Sequence, residues 1–208
     1  MTINRPEPGA QLHDGPPTTP RPAATVMLLR GGDEQLEVLL VQRTRQASFM
    51  GGAWVFPGGS VDEADGEGHA GLMAAARREL LEEAGIELAA TDQLVAYARW
   101  ITPEASRVRF DTWFFLARAP EGVQARVDGA EIVDATWIAP GEALRRQTAG
   151  DLFLVFPTIK QLQQLAGFAS ATALLEHARG RAVEPVQPVV VGTGEQARIL
   201  LPGDPGYA

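Results

Sequence analysis

Residues Ala70 to Ala84 carry the feature that most limits what this chain can become. They are a run rich in Ala, Leu, Met, Arg and Glu that stops at Gly85. Such residues favour helix, and glycine supplies the left-handed stop that ends one. At 3.6 residues per turn Met73, Ala76, Leu80 and Ala84 form an apolar stripe, so the helix must lie on a partner layer. Beside that stripe Glu79, Glu82 and Glu83 share an arc of roughly 100° and aim three carboxylates at one small volume. Like charges at these spacings cost about 0.2–0.5 kcal/mol per pair, and the helix dipole disfavours anions near its C-terminal end. Arg78, four residues before Glu82, is expected to partner only one of them. A divalent cation would offset the rest, whereas the plain alternative is a solvated acidic helix face.

Composition narrows the chemistry. The 208 residues contain no cysteine and three histidines, His13, His69 and His177, none at a zinc-ligand spacing. Disulfides, thiolate zinc sites and a cysteine nucleophile are therefore excluded, and hard oxygen-loving ions, Mg²⁺ or Mn²⁺, fit best. A net charge of -8 argues against binding nucleic acid through its backbone, which needs a basic surface. A polyanionic small molecule bridged by cations remains compatible. No apolar run of membrane-spanning length occurs and the first residues, Met1 to Pro8, lack a secretory apolar stretch. The expectation is a cytoplasmic protein with no membrane partner.

Along the chain, residues 1–21 are proline-rich and predict a flexible N-terminal arm. Ala24 to Arg30 and Leu36 to Arg43 predict two strands around a Gly31-Gly32-Asp33 turn, and a Gly- and Pro-rich stretch from Gly51 to Gly59 leads into the helix. Leu94 to Ile101, Arg109 to Ala117 and Ile132 to Ile138 predict further strands. Pro140 to Gln147 reads as a short helix behind a proline start. Thr158 to Leu165 and Ser170 to Arg179 predict two more helices. Val186 to Val191 and Ala197 to Leu201, flanking Gly192-Thr193-Gly194, predict a hairpin. The class is α+β, with a core over residues 22–150 and a C-terminal helical and hairpin appendage over 151–208 packed on it.

Arg78-Glu79-Leu80-Leu81-Glu82-Glu83-Ala84-Gly85-Ile86, preceded by Gly58-Gly59, resembles the second half of the box that defines Nudix hydrolases. The resemblance implies the Nudix fold, a mixed sheet sandwiched between helices, and a metal-dependent hydrolase that cuts diphosphates in nucleotide-containing small molecules. It implies Glu79, Glu82 and Glu83 as metal ligands, with Arg78 orienting Glu82. The stretch from Gly59 to Arg78 is five residues longer than the standard box, which leaves the box's first glutamate open between Glu63 and Glu67; the plain reading of this stretch is an acidic surface loop. A backbone carbonyl from Gly59 can complete the metal shell, since glycine admits close approach. The general base should be a glutamate near a metal-bound water: Glu83, or Glu131, because Glu131 to Trp137 is similar to the Nudix pattern of an acidic loop residue before a strand. The plain reading of Glu131 is a turn residue beside Asp128-Gly129.

The segment Leu39 to Gly59 resembles the motif upstream of the box in coenzyme A diphosphatases, with Ser48 where that motif has a second arginine. Trp100 to Pro103, Arg109 to Phe115, Leu165 to Ser170 and Leu200 to Asp204 resemble the peroxisomal-type coenzyme A diphosphatases and their bacterial relatives, which also split the box after Gly-Gly. The implied substrate is coenzyme A or an acyl derivative, with the appendage shaping the pantetheine or acyl pocket. Substrate-binding candidates are Arg43 at the end of a strand, Arg45 in the loop after it, Phe56 and Trp100. The tryptophans are expected to be mostly core, with at most one or two stacked on a base. A homodimer is what the resemblance suggests. Alternative ligands are ADP-ribose, NADH or dinucleoside polyphosphates, and a non-catalytic sensor on the same scaffold is a further alternative.

Overall fold

A computed structural model describes residues 12–13, 15–47, 50–89, 94–193 and 196–207. Continuous apolar runs, Val26 to Leu29 and Val38 to Val41, set its first two strands, β1 (Arg21–Arg30) and β2 (Glu37–Arg43). Met27 and Leu29 point to one face of the sheet, and Val26 and Leu28 to the other; both faces are buried, so both must be covered. The expected turn joins the two, with Gly31 and Gly32 at φ 111° and 62°.

Six more strands complete the sheet: β3 (Trp54–Val55), β4 (Gly58–Ser60), β5 (Val95–Ile101), β6 (Phe110–Arg118), β7 (Ile132–Ile138) and β8 (Pro185–Val186). The order is β3-β2-β1-β6-β5-β8, with β4 also on β1 and β7 also on β2. The sheet is mixed: β1 runs parallel to β6 over Arg21 to Leu29, but antiparallel to β2 and β4. β1 and β2 pair only at Leu29↔Val38 and Arg30↔Glu37 before they part. Into that opening come β4, registered on β1 (Ala24↔Gly59), and β3, registered on β2 (Val41↔Val55).

Helix α1 (Gly68–Ala84) covers one face of the sheet, seating Ala75, Ala76, Leu80 and Ala84 against Ala24, Val26, Leu28 and Phe115. A short 3-10 turn, Glu63–Asp65, precedes it. It stops at Gly85, whose φ of 63° is left-handed and whose N–H is donated back to the carbonyls of Leu80 and Leu81. The opposite face carries α2 (Pro140–Ala149), α3 (Phe156–Leu165) and α4 (Ala171–Ala178). Their buried side chains form one cluster with Met27, Leu40 and Leu116. The C-terminal hairpin is β9 (Val189–Val191) with β10 (Arg198–Leu200). Its Ile199 joins that second cluster. Gly194 of its expected turn lies outside the described residues. The run expected from Val186 is divided, since β8 instead extends the main sheet beside Arg99 and Trp100.

Residues 15–21, from the expected N-terminal arm, and Leu12 and His13 run along the β5–β6 connection. Leu12 bridges Ser106, the His13 N–H reaches the Ala105 carbonyl at 2.8 Å, and the buried Arg109 donates to the carbonyls of Thr18 and Thr102. Among the described residues no helix is long and apolar enough to cross a membrane.

Candidate active site

The last two turns of α1 lie over β4, so the glutamates meet the Gly58-Gly59 backbone. Glu83 is 5% exposed and its Oε2 accepts the Gly58 N–H at 2.9 Å. Burial pushes its carboxyl up to about 8, against the pull of that hydrogen bond, and the negative charge of Glu79 adds to the rise. Glu79 is pressed against Gly59: a Cβ on Gly59 would stand 2.3 Å from Glu79 Oε1, so any side chain there would drive the Glu79 carboxylate out of its place. Burial also raises the Glu79 carboxyl, with Arg78 opposing the rise. Glu82, one residue before Glu83, is 58% exposed.

Arg78 does more than the single pairing expected of it. Its Nη1 donates to Glu79 Oε1 at 2.8 Å and to Glu82 Oε2 at 3.1 Å. Its Nε and Nη2 clasp both oxygens of Asp65 at 3.1 and 2.8 Å, and Nη2 also reaches the Ser60 carbonyl at 3.0 Å. A planar fork of five N–H donors permits this where a point charge would not. The hydrogen bond from Arg78 holds Asp65 below the usual carboxylate range, and Arg78 is raised in return, first by Asp65.

Asp65 is the residue that sequence reasoning missed. Glu63 and Glu67, between which the box's first acid was left open, both face solvent. The side chain of Asp65 is 5% exposed and lies between them in the 3-10 turn. A local signal was available, because Asp62-x-x-Asp65 has the spacing of a capping pair and the Asp62 N–H does donate to Asp65 Oδ2 at 2.8 Å.

The far wall comes from β2 and β7. Arg43 Nη2 donates to Glu131 Oε1 at 2.9 Å. The Glu131 carbonyl accepts the Thr44 N–H at 2.8 Å, and the Asp128 carboxylate accepts the N–H groups of Ala130, Glu131 and Ile132. Those backbone bonds hold the Asp128 carboxyl low. The charge of Glu131 raises both Glu79 and Glu83, and that of Arg43 lowers Glu83, so the two walls share one electrostatic neighbourhood.

The other substrate-contact expectations are redistributed. Arg45 lies on an exposed turn after β2, and Ser48 falls outside the described residues. Phe56 and Trp100 are both buried in the cluster under α2 to α4, on the sheet face opposite α1, where Trp100 meets Phe156 edge-on at 6.1 Å. Strand parity is the cause, because Arg99 takes the α1 side of β5, over Trp113, and leaves the core side to Trp100.

The donor set fits a hard divalent ion. It consists of oxygens, and it holds carboxylates whose mutual repulsion and desolvation call for positive charge. Among the described residues no three acids or histidines are already gathered as a cage, since Arg78 engages Glu79 and Glu82, and Gly58 engages Glu83. Side-chain rotation would be needed to close one.

Comparison with known proteins agrees with this geometry. The NUDIX domain model matches residues 19–157, and the chain belongs to the Nudix hydrolase family. A solved NUDIX hydrolase from Alicyclobacillus acidocaldarius superposes with a TM-score of 0.69 at 28% identity, covering 76% of this chain and 96% of that one. Among curated relatives, acyl-coenzyme A diphosphatase NUDT19 of Homo sapiens is 34% identical over 116 residues, which is 53% of this chain and 31% of that protein. Putative nudix hydrolase 7 of Caenorhabditis elegans is 28% identical over 163 residues, 62% of this chain and 55% of that protein. The chain thus matches between about a third and about half of the length of these relatives.

Proposed function

We propose that this chain hydrolyses the diphosphate of coenzyme A or acyl-coenzyme A, releasing 3',5'-ADP and the (acyl-)4'-phosphopantetheine product. The observation that carries the reading is the seating of Glu79 and Glu83 on the Gly58-Gly59 strand, with Arg78 bridging Glu79 to Glu82 and the Arg43–Glu131 pair on the wall beyond. Similarity to an acyl-coenzyme A diphosphatase supports the choice among diphosphates.

Glu79, Glu82 and Glu83, with the Gly59 backbone, would hold Mg²⁺ or Mn²⁺. Such ions lower the pKa of a bound water and neutralise charge on the phosphates. Arg78 fixes Glu79 and Glu82 from one side. Arg43 and Arg45, at and just beyond the end of β2, offer guanidinium groups to phosphate oxygens. Two carboxylates are candidates to take a proton from the attacking water: the buried Glu83 beside the Gly58 backbone and the exposed Glu131 on the opposite wall.

The test is a panel of coenzyme A, acyl-coenzyme A, ADP-ribose, NADH and diadenosine polyphosphates with Mg²⁺ and Mn²⁺, the products separated by chromatography. Appearance of 3',5'-ADP from coenzyme A is the expected result. Preferred cleavage of the other compounds to AMP would reassign the substrate, and no turnover of any would favour a ligand sensor.

A further inference from the structure

The two arginines of the site are bonded very differently. Arg78 spends its fork on Asp65, Glu79, Glu82 and the Ser60 carbonyl, and is fixed from every side. The guanidinium of Arg43 makes one hydrogen bond among the described residues, to Glu131, and its Nε is buried without a partner. Glu131 is built in a complementary way: its backbone is pinned by Thr44 and Asp128, while its side chain is 59% exposed and is held by Arg43. A rotation of one side chain, with no change of backbone, separates the pair.

From this arrangement we infer that Arg43 is an internal competitor for the divalent cation: its guanidinium neutralises Glu131 in the metal-free protein, and metal loading transfers Glu131 to the ion and frees Arg43 to face the diphosphate. The inference deepens the reading of the site as a metal-dependent diphosphatase and rests on it. Without that exchange the site would hold four glutamates against a single arginine, a condition that Arg43 relieves until a stronger cation arrives. The Arg43 charge falls on Glu83 as well as on Glu131, so its departure is felt on both walls.

The exchange predicts an effect of unusual sign, in which removing a residue of the site tightens metal binding. The full-length protein, stripped with EDTA and dialysed, is titrated with Mn²⁺ while the electron paramagnetic resonance signal of the free ion is followed. Arg43→Gln is expected to bind Mn²⁺ about fivefold more tightly than the parent, the worth of a partly exposed ion pair of roughly 1 kcal/mol. Arg43→Lys, which keeps the charge, should stay near the parent value. In a Glu131→Gln background the gain from Arg43→Gln should shrink to less than about twofold, because the competition acts mainly through that carboxylate and only the weaker influence of Arg43 on Glu83 is left. Unchanged or weaker Mn²⁺ binding in Arg43→Gln overturns the inference, as does a gain that stays undiminished in the Glu131→Gln background. Circular dichroism on each variant separates either result from misfolding, and Arg43→Met, equally uncharged, carries the same expectation should Arg43→Gln not fold; an Arg43→Lys variant that tightens binding as strongly as an uncharged one would equally refute the competition. The titration needs no substrate, so it stands whichever diphosphate is cut. A parent protein that binds no Mn²⁺ removes the underlying reading, and the inference with it.

Discussion

Substituting Glu83 by Gln should make the metal-free protein more stable in alkaline solution while abolishing its turnover. Glu83 is buried, and its carboxyl titrates at about 8 in the folded chain against an ordinary value of 4.5. Below pH 4.5 the group is protonated in both states and costs nothing. As pH rises toward 8 the unfolded chain releases the proton and the folded chain keeps it, so stability falls by about 1.4 kcal/mol per pH unit. The full loss, present above pH 8, is on the order of 4–5 kcal/mol, a large share of the roughly 5–15 kcal/mol that holds a domain together. Gln preserves the shape, and its amide oxygen can still accept the Gly58 N–H, so the variant escapes the penalty. Urea denaturation in EDTA should show the two proteins within about 1 kcal/mol of each other near pH 5, and the variant ahead by roughly 2–4 kcal/mol at pH 8.5, allowing for relaxation around the ionised group. Mn²⁺ should then raise the parent's stability at pH 8.5 much more than the variant's. A gap between the two proteins that is the same at pH 5 and pH 8.5 would show that Glu83 ionises freely in the fold, and the reasoning would fail.

Other perturbations separate the parts of the site. Asp65→Asn removes the clasp on Arg78, and should lower kcat about 10–100-fold with little change in KM, as loss of a carboxylate supporting metal ligands does; steady-state kinetics at saturating metal decide it. In Gly59→Ala the new methyl meets Glu79 Oε1, so turnover should drop by about 100-fold or more while the protein loses only about 1–3 kcal/mol, read from activity and urea melts on the same sample. Leu80→Ala empties a fully buried position between α1 and the sheet and should cost about 2–5 kcal/mol. Trp100→Phe should leave KM for the diphosphate substrate unchanged while lowering the melting temperature, because Trp100 packs in the core; a raised KM at unaltered stability would put it back beside the ligand.

The strands and helices whose periodicity is long were legible in the sequence: β1, β2, α1, β6 and β7 all lie close to the expected bounds. The short strands were not. β3, β4 and β8 have two or three residues each, too few for a repeat to declare itself, and they exist because β1, β2 and β5 offer free edges. The carboxylate helix was readable because its spacing is local. Asp65 was not, because the lengthened loop breaks the usual spacing and the identity of the Arg78 partner depends on how that loop folds back. That Phe56 and Trp100 are buried under α2 to α4 is not legible from their nearness to a motif, because an aromatic carries no label for which side of the sheet it takes; the parity of Arg99 and Trp100 along β5 separates those two.

The match to the domain model stops at residue 157, yet Leu162, Leu165, Leu174 and Ile199 help to close the sheet's second face. The unit that folds therefore extends past the stretch that the domain model matches. A truncation drawn at residue 157 would remove α4, the hairpin and most of α3 from that face and uncover part of the cluster around Leu29, Leu40 and Leu116, so an inactive fragment would report lost cohesion rather than a dispensable or regulatory tail.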